Sequence, residues 1–226
     1  MFADEYYPVK IKNDDVVFDV GANIGLSVIN FSHKGAKNIV AIEPEPQNFK
    51  MLKLNCTSNN INAKLLNVAV SNKSGIVHFG STGGTASVKN DGISVNAMSL
   101  DDIVSRLNVG PTIVKMDIEG YEVNALNGFK QGISTVKQFI IETHSPELEN
   151  DVVQILRQQG FKITRVNYKL SKIGLRILRH FYSFIDIEKK YNFQKSKVAF
   201  KFIFGIGISP YIHTETSNTN IIYAFR

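Results

Sequence analysis

The run Val16-Val17-Phe18-Asp19-Val20-Gly21-Ala22-Asn23-Ile24-Gly25 constrains the fold of this chain more than any other stretch. Four of its first five residues are apolar and three are valines, a composition that suits a strand buried on both faces. Asp19 then leads into a turn with glycine at positions 21 and 25. Glycines there let the backbone adopt dihedrals closed to other residues and approach a ligand closely, and the helix that follows offers unpaired N–H groups. The expected element is a buried strand, a glycine loop and a helix, with a nucleotide-type ligand at the turn.

Spacing narrows the ligand. Hydride-transferring dinucleotide enzymes carry G-x-G-x-x-G at this point and P-loop proteins carry Gly-Lys-Ser/Thr; this turn has neither. Asp19 precedes the loop and Glu43 closes the next apolar run, Asn38 to Glu43. Carboxylates accept hydrogen bonds from hydroxyls and ammonium groups, and an acid at the carboxyl end of a second strand sits where a ribose lies in folds of this type. A cofactor with an amino-acid end and a ribose diol meets both demands, which points to S-adenosylmethionine. The cofactor set read here is Asp19, Gly21, Asn23, Gly25 and Glu43.

Six segments in order, DVGANIG, AIEPEP, NVAVSNKSG, SLDD, IVKMDIEGYE and FIIETH, resemble the FkbM-type family of S-adenosylmethionine-dependent methyltransferases over about residues 15–166. The resemblance implies a class I methyltransferase fold: an α/β, Rossmann-like, doubly wound sheet of seven strands with the last antiparallel. It also implies methylation, most often of oxygen on sugars, polyketides or similar small molecules. By the same resemblance Asn67, Val68 and Ala69 border the adenine, an amide to pair its amine and small apolar groups to lie against its ring.

At 226 residues and 43% hydrophobic content the chain can bury one core with an elaboration, not two full domains. It has no apolar run of about 18 residues, an acidic start (Met1-Phe2-Ala3-Asp4-Glu5) and a single cysteine, Cys56. The expectation is a cytoplasmic protein without disulfides or a membrane span. Its net charge of +6 is uneven: residues 164–226 hold 11 Lys and Arg against 3 Asp and Glu, whereas the preceding residues hold 15 against 17.

Further along, apolar spacing predicts a helix ending near Lys34-Gly35 and a second opening at Pro46, with Phe49, Leu52 and Cys56 on its buried face. Cys56 is read as core. Leu65 to Val70 is expected as the third strand and Ile76 to Phe79 as a short one. The small residues from Gly80 to Ser87 read as a loop able to move over a substrate, or as plain surface. Ser99-Leu100-Asp101-Asp102 resembles a capping box for a helix to about Leu107, which gives its acids a structural use. Met1 to Asp14 is a lead in which Tyr6, Tyr7 and Pro8 cover the sheet or edge the site.

Thr112 to Met116 is an apolar strand apart from Lys115, and it ends at Asp117-Ile118-Glu119-Gly120-Tyr121-Glu122. Open α/β sheets keep their ligands at such carboxyl ends. Asp117 is therefore placed near the methionine moiety or transferred methyl, Glu119 beside an acceptor hydroxyl, and Glu122 in a helix-terminal, structural role. The fifth strand, Gln138 to Ile141, ends in Glu142-Thr143-His144, whose alternation by two sends Glu142 and His144 to the same side. Transfer to an alcohol needs positioning and removal of a proton, which gives a catalytic set of Asp117, Glu119, Glu142 and His144, with His144 as base or as a capping histidine. Oxygen ligands with one imidazole also suit a divalent cation; a metal is compatible with this set but is not predicted from it.

Phe161 to Asn167 and Asn220 to Phe225 complete the strands, so the core is expected over 15–167 and 220–226 of one domain. The basic, aromatic insert 168–219 is a substrate or oligomerisation module, and is also compatible with nucleic acid or a membrane surface. The resulting expectation is a methyltransferase acting on a hydroxyl of a small molecule, glycan or lipid-linked precursor. Its rivals are a nucleic-acid methyltransferase, disfavoured by the absence of N-P-P-[YFW] after the fourth strand, and a non-catalytic binding protein.

Overall fold

The computed structural model describes residues 9–82, 85–88, 93–167 and 220–226. The chain divides into two compact units; the described elements make up the larger, residues 6–166 and 219–226, and the other lies almost wholly outside the described residues. The insert 168–219, the aromatic lead Tyr6, Tyr7 and Pro8, and Gly83 and Gly84 also lie outside them.

The elements run β1 (Val16–Val20), α1 (Leu26–His33), β2 (Asn38–Ile42), α2 (Pro46–Ser58), β3 (Lys64–Leu66), β4 (Ala69–Val70), β5 (Gly75–Thr82), β6 (Thr85–Val88) and β7 (Ile93–Met98). They continue α3 (Leu100–Leu107), β8 (Ile113–Met116), α4 (Glu122–Asn127), β9 (Gln138–Thr143), α5 (Pro146–Gln158), β10 (Lys162–Asn167) and β11 (Asn220–Phe225). Seven strands form one sheet in the order β10-β11-β9-β8-β1-β2-β3. β1 lies parallel to β2 and β8, and β8 parallel to β9. β11 runs antiparallel to β9. This is the doubly wound architecture expected from the sequence, with the reversed strand where it was expected.

Alternation along the strands explains the two layers. Phe18, Val20, Val114, Met116, Phe139 and Ile141 point into one core with Leu100 and Ile103 of α3, Leu126 of α4 and Val152 and Leu156 of α5. Val17, Ala41, Ile113 and Ile140 point the other way, onto Val28 and Phe31 of α1 and Leu52 and Cys56 of α2. Both faces of the central strands are buried, which is why they read as continuous apolar runs rather than as alternating ones. Cys56 sits in the core, and burial pushes its thiol further up from the ordinary value.

The helix ends follow local chemistry. Ser99 Oγ accepts the Asp102 N–H at 3.1 Å, and Ser145 Oγ accepts the Leu148 N–H at 3.1 Å, each capping the helix that follows. Asp101 accepts the N–H groups of Lys130 and Gly132, both at 2.8 Å, and so ties α3 to the turn before β9.

Two expectations are corrected. The third strand breaks after Leu66: β3 pairs with β2 in the main sheet, whereas β4 pairs with β7 in a second sheet of order β4-β7-β5-β6. The Asn67 amide donates to the carbonyls of Glu43 and Pro44 at 2.8 and 3.0 Å, and these bonds hold the chain at the break. The stretch expected as a loop over Gly80 to Ser87 instead contributes to the antiparallel strands β5 and β6, with Thr82 opposite Thr85. Its serines, threonines and glycines hide the period-2 signal, which rests on apolar contrast.

Candidate active site

The site is built at the carboxyl ends of β1, β2, β8 and β9, starting from the glycine loop. Gly21 has φ of +78°, and a Cβ placed on it would lie 1.9 Å from the Asp117 carbonyl oxygen, so only glycine lets β1 and β8 close together here. The N–H groups of Gly21 and Ala22 both donate to the Ile42 carbonyl at 3.0 Å. The loop is thereby sewn to the end of β2. Gly25, at φ of +92°, leaves room for Leu52, whose Cδ1 would lie 2.7 Å from an added Cβ.

Glu43 is 5% exposed and holds the next turn. Its Oε2 accepts the Asn23 N–H at 2.8 Å and its Oε1 the Glu45 N–H at 2.9 Å. Burial raises its carboxyl above the ordinary value, against the pull of those two N–H groups and the Lys115 charge. Val68 and Ala69 supply an apolar wall across the cleft.

On the other side, the chain leaving β8 turns through positive φ at Glu119 (+54°) and Gly120 (+100°). Glu122, fully buried, accepts the N–H groups of Ile118 and Gly120 at 3.1 and 3.2 Å and so shapes that turn. The turn presents Asp117 and Glu119 to His144: Nε2 lies 3.3 Å from Asp117 Oδ1 and 3.8 Å from Glu119 Oε2. Burial alone would lower the histidine's proton affinity. The hydrogen bond to Asp117 and the charges of Glu119, Asp117 and Glu122 outweigh it and raise His144 to about 9. Asp117 is held below the ordinary carboxylate range; burial opposes this, and the charge of Lys115 and contact with His144 prevail. Glu119 is raised by burial and by the Asp117 charge.

The remaining candidates stand elsewhere. Asp19 is fully buried behind the loop, accepts from Ser27 Oγ, and lies 3.3 Å from Lys115 Nζ. Gly25 packs beneath α2, and Asn67 has its amide nitrogen on two backbone carbonyls. Glu142 is half-buried opposite Ile221 on β9, outside the Asp117, Glu119 and His144 cluster. Gly21, Asn23, Glu43, Val68, Ala69, Asp117 and Glu119 all border one cleft. Lys115 carries no role in the sequence reading. Its signal was nevertheless present as a lone cation in an otherwise apolar strand, since lysine is rarely buried unless paired.

Among the described residues lining the cleft there are three carboxylates, Glu43, Asp117 and Glu119, and no lysine or arginine. Such a lining repels phosphate and attracts a cation, so the donor set fits a sulfonium cofactor with a ribose and an ammonium. Asp117, Glu119 and His144 also bring one atom each within 4.8 Å of one another. A divalent cation and the His144 proton compete for these carboxylates, because an imidazole binds metal only in its neutral form.

Residues 19–163 match the family model for the methyltransferase FkbM domain. The chain belongs to the FkbM methyltransferase family. It is an S-adenosylmethionine-dependent methyltransferase. It is 31% identical over 164 residues to the hexuronic acid methyltransferase AglP of Haloferax volcanii, covering 69% of this chain and 68% of that one. It is 24% identical over 208 residues to the 31-O-demethyl-FK506 methyltransferase FkbM of Streptomyces tacrolimicus, covering 72% and 80%. The crystal structure of an FkbM methyltransferase from Methylobacillus flagellatus shares the fold at a TM-score of 0.57 and 22% identity; the match spans 73% of this chain but only 43% of that one. The FkbM resemblance and the methyl-transfer activity expected from the sequence both hold. Among the described residues no helix is long and apolar enough to cross a membrane.

Proposed function

We propose that this FkbM methyltransferase methylates an oxygen of a small molecule or glycan, and that Asp117, Glu119 and His144 form the acceptor side of the site. The observation that carries the reading is the convergence of His144 on two carboxylates, Asp117 and Glu119, that line the acidic cleft. The names of two relatives agree with it, one giving a hexuronic acid and the other 31-O-demethyl-FK506 as substrate.

When bound, S-adenosylmethionine supplies an electrophilic methyl group on a sulfonium leaving group. Glu43 would hold the ribose hydroxyls with the lone pairs its backbone donors leave free. Val68 and Ala69 would form the wall for the adenine, and Asp117 would take the cationic end. The part left to this chain would be to hold the acceptor hydroxyl at Asp117 and Glu119 and to take its proton at His144 Nε2. In the free enzyme His144 carries a proton at neutral pH. A second cation sharing Asp117 would lower the proton affinity of His144, and the neutral ring would then serve as base.

The charged resting state of His144 favours a second reading, in which the acceptor arrives already ionised, as the carboxylate of a uronic acid does. Such an acceptor needs no base. Calorimetric titration with S-adenosylhomocysteine, beside Glu43→Ala, tests the cofactor site. Methyl-transfer assays of wild type and His144→Ala on sugar alcohols and uronic acids then separate the two acceptors: loss of turnover on the alcohols alone supports the base, and loss on neither class, or equal loss on both, rejects it. A wild type that binds no cofactor rejects the assignment of the cleft.

A further inference from the structure

We propose that Lys115 is a positioning residue, whose buried ammonium locks the glycine loop of β1 to the acidic end of β8 and so sets the cofactor half of the site. The inference rests on the reading of the cleft as the S-adenosylmethionine site. Its starting point is the register. Asp19 on β1 stands directly opposite Lys115 on β8, so both side chains leave the same face of the sheet, and Gly21 and Asp117 each follow two residues on.

Lys115 is 6% exposed. Its Nζ donates to the Gly21 carbonyl at 2.8 Å and lies 3.3 Å from Asp19 Oδ1 and 3.9 Å from Asp117 Oδ2. Around it the layer is apolar, with Val17 and Ile113 two residues before the pair and Ile140 beside it on β9. An ammonium in such a layer is tolerable only because its partners converge on it. Stability is a weak reason for the arrangement, since apolar residues of similar size often replace buried ion pairs without loss. Geometry is the stronger reason. Gly21 is held by its N–H to the end of β2 and by its carbonyl to Lys115.

The chain of contacts runs on from there. Ser27, in the first turn of α1, donates to Asp19, Asp19 pairs with Lys115, Lys115 faces Asp117, and Asp117 meets His144. Lys115 is therefore the link between a loop that has no charged side chain of its own and the carboxylate that borders the cleft. Without it, the Gly21 carbonyl, Asp19 and Asp117 would lose the cation on which all three converge.

The test is calorimetric titration with S-adenosylhomocysteine over about pH 5 to 8, with thermal melts, for wild type, Lys115→Met, Lys115→Arg and Asp19→Asn. Lys115→Met is expected to lose about tenfold to a hundredfold in affinity, the worth of hydrogen bonds to a charged group, with Lys115→Arg losing less. The acid-side fall in affinity should also move to higher pH in Lys115→Met, because Asp117 no longer has its cation. Wild-type affinity and an unchanged pH profile in Lys115→Met would overturn the proposal whatever its melting temperature. If Lys115→Met does not fold, Asp19→Asn reads the same link from a position behind the cleft: weakened affinity supports the proposal and wild-type affinity overturns it. Failure of the wild type to bind is seen first, and marks the failure of the cofactor reading and of this inference with it.

Discussion

The β1–β2 half of the cleft and the β8–β9 half are made from the same residue types and behave in opposite ways. In the first, the carboxylate is held by the backbone: Glu43 accepts one main-chain N–H on each oxygen, and the glycine loop hangs on the Ile42 carbonyl. In the second, Asp117 and Glu119 meet a titratable side chain, His144, at 3.3 and 3.8 Å. Backbone partners cannot change charge at ordinary pH, whereas an imidazole can. One half is therefore a fixed mould, and the other is a set of charges that responds to what enters it.

The sharpest way to break that contrast is His144→Ala. Turnover on an alcohol acceptor should fall about a hundredfold to ten-thousandfold, the usual worth of a general base, while affinity for S-adenosylhomocysteine stays near the wild-type value. Loss of affinity with turnover intact would reverse the two halves. Steady-state kinetics beside calorimetry reads both quantities.

Gly21→Ala probes the mould directly. A methyl group 1.9 Å from the Asp117 carbonyl, on a residue at φ of +78°, forces β1 and β8 apart. The expected loss is roughly 2–4 kcal/mol of stability in urea denaturation, accompanied by loss of cofactor binding. A stable variant that still binds would mean that the loop can move away without consequence.

Glu43→Ala removes the acceptor of two backbone N–H groups and, on the proposed function, the group for the ribose. A loss of about tenfold to a hundredfold in cofactor affinity is expected by calorimetry, with acceptor KM little changed. The mould would be the wrong description if only acceptor KM moved.

The smallest effect sharpens the other half. His144 is raised from 6.5 to about 9 in the folded protein. A group whose folded value is raised contributes stability that is complete below its unfolded value and is lost as pH rises through the folded one. The folded state should therefore lose about 1–2 kcal/mol between pH 6.5 and 9 after solvent screening. His144→Asn should flatten that slope, as followed by chemical denaturation across the range. An identical slope in the variant would assign the titration to other groups.

Much of this site was legible along the chain, and the exceptions share a cause. The buried strand, the glycine loop and the acidic end of β8 are each contained in a few consecutive residues, and six such segments suffice for the family. The break of the third strand at Asn67 was not legible, because the bonds that hold it run 24 and 23 residues back, to Glu43 and Pro44. Asp19 and Lys115 lie 96 positions apart and meet only because β1 and β8 are neighbours in the sheet. The alternation that grouped Glu142 with His144 describes a strand, but β9 ends at Thr143 and His144 lies beyond it.

From the sequence alone follow the strands and helices of the main sheet, the place of the glycine turn and the acidic ends of the strands, since periodicity, backbone preference and capping act within a few residues. Only the tertiary structure decides which acid faces the cleft and which is buried behind the loop, and whether His144 rests charged. Those properties are set by Coulomb energies and desolvation, which depend on distance and burial in space, and residues remote along the chain determine both.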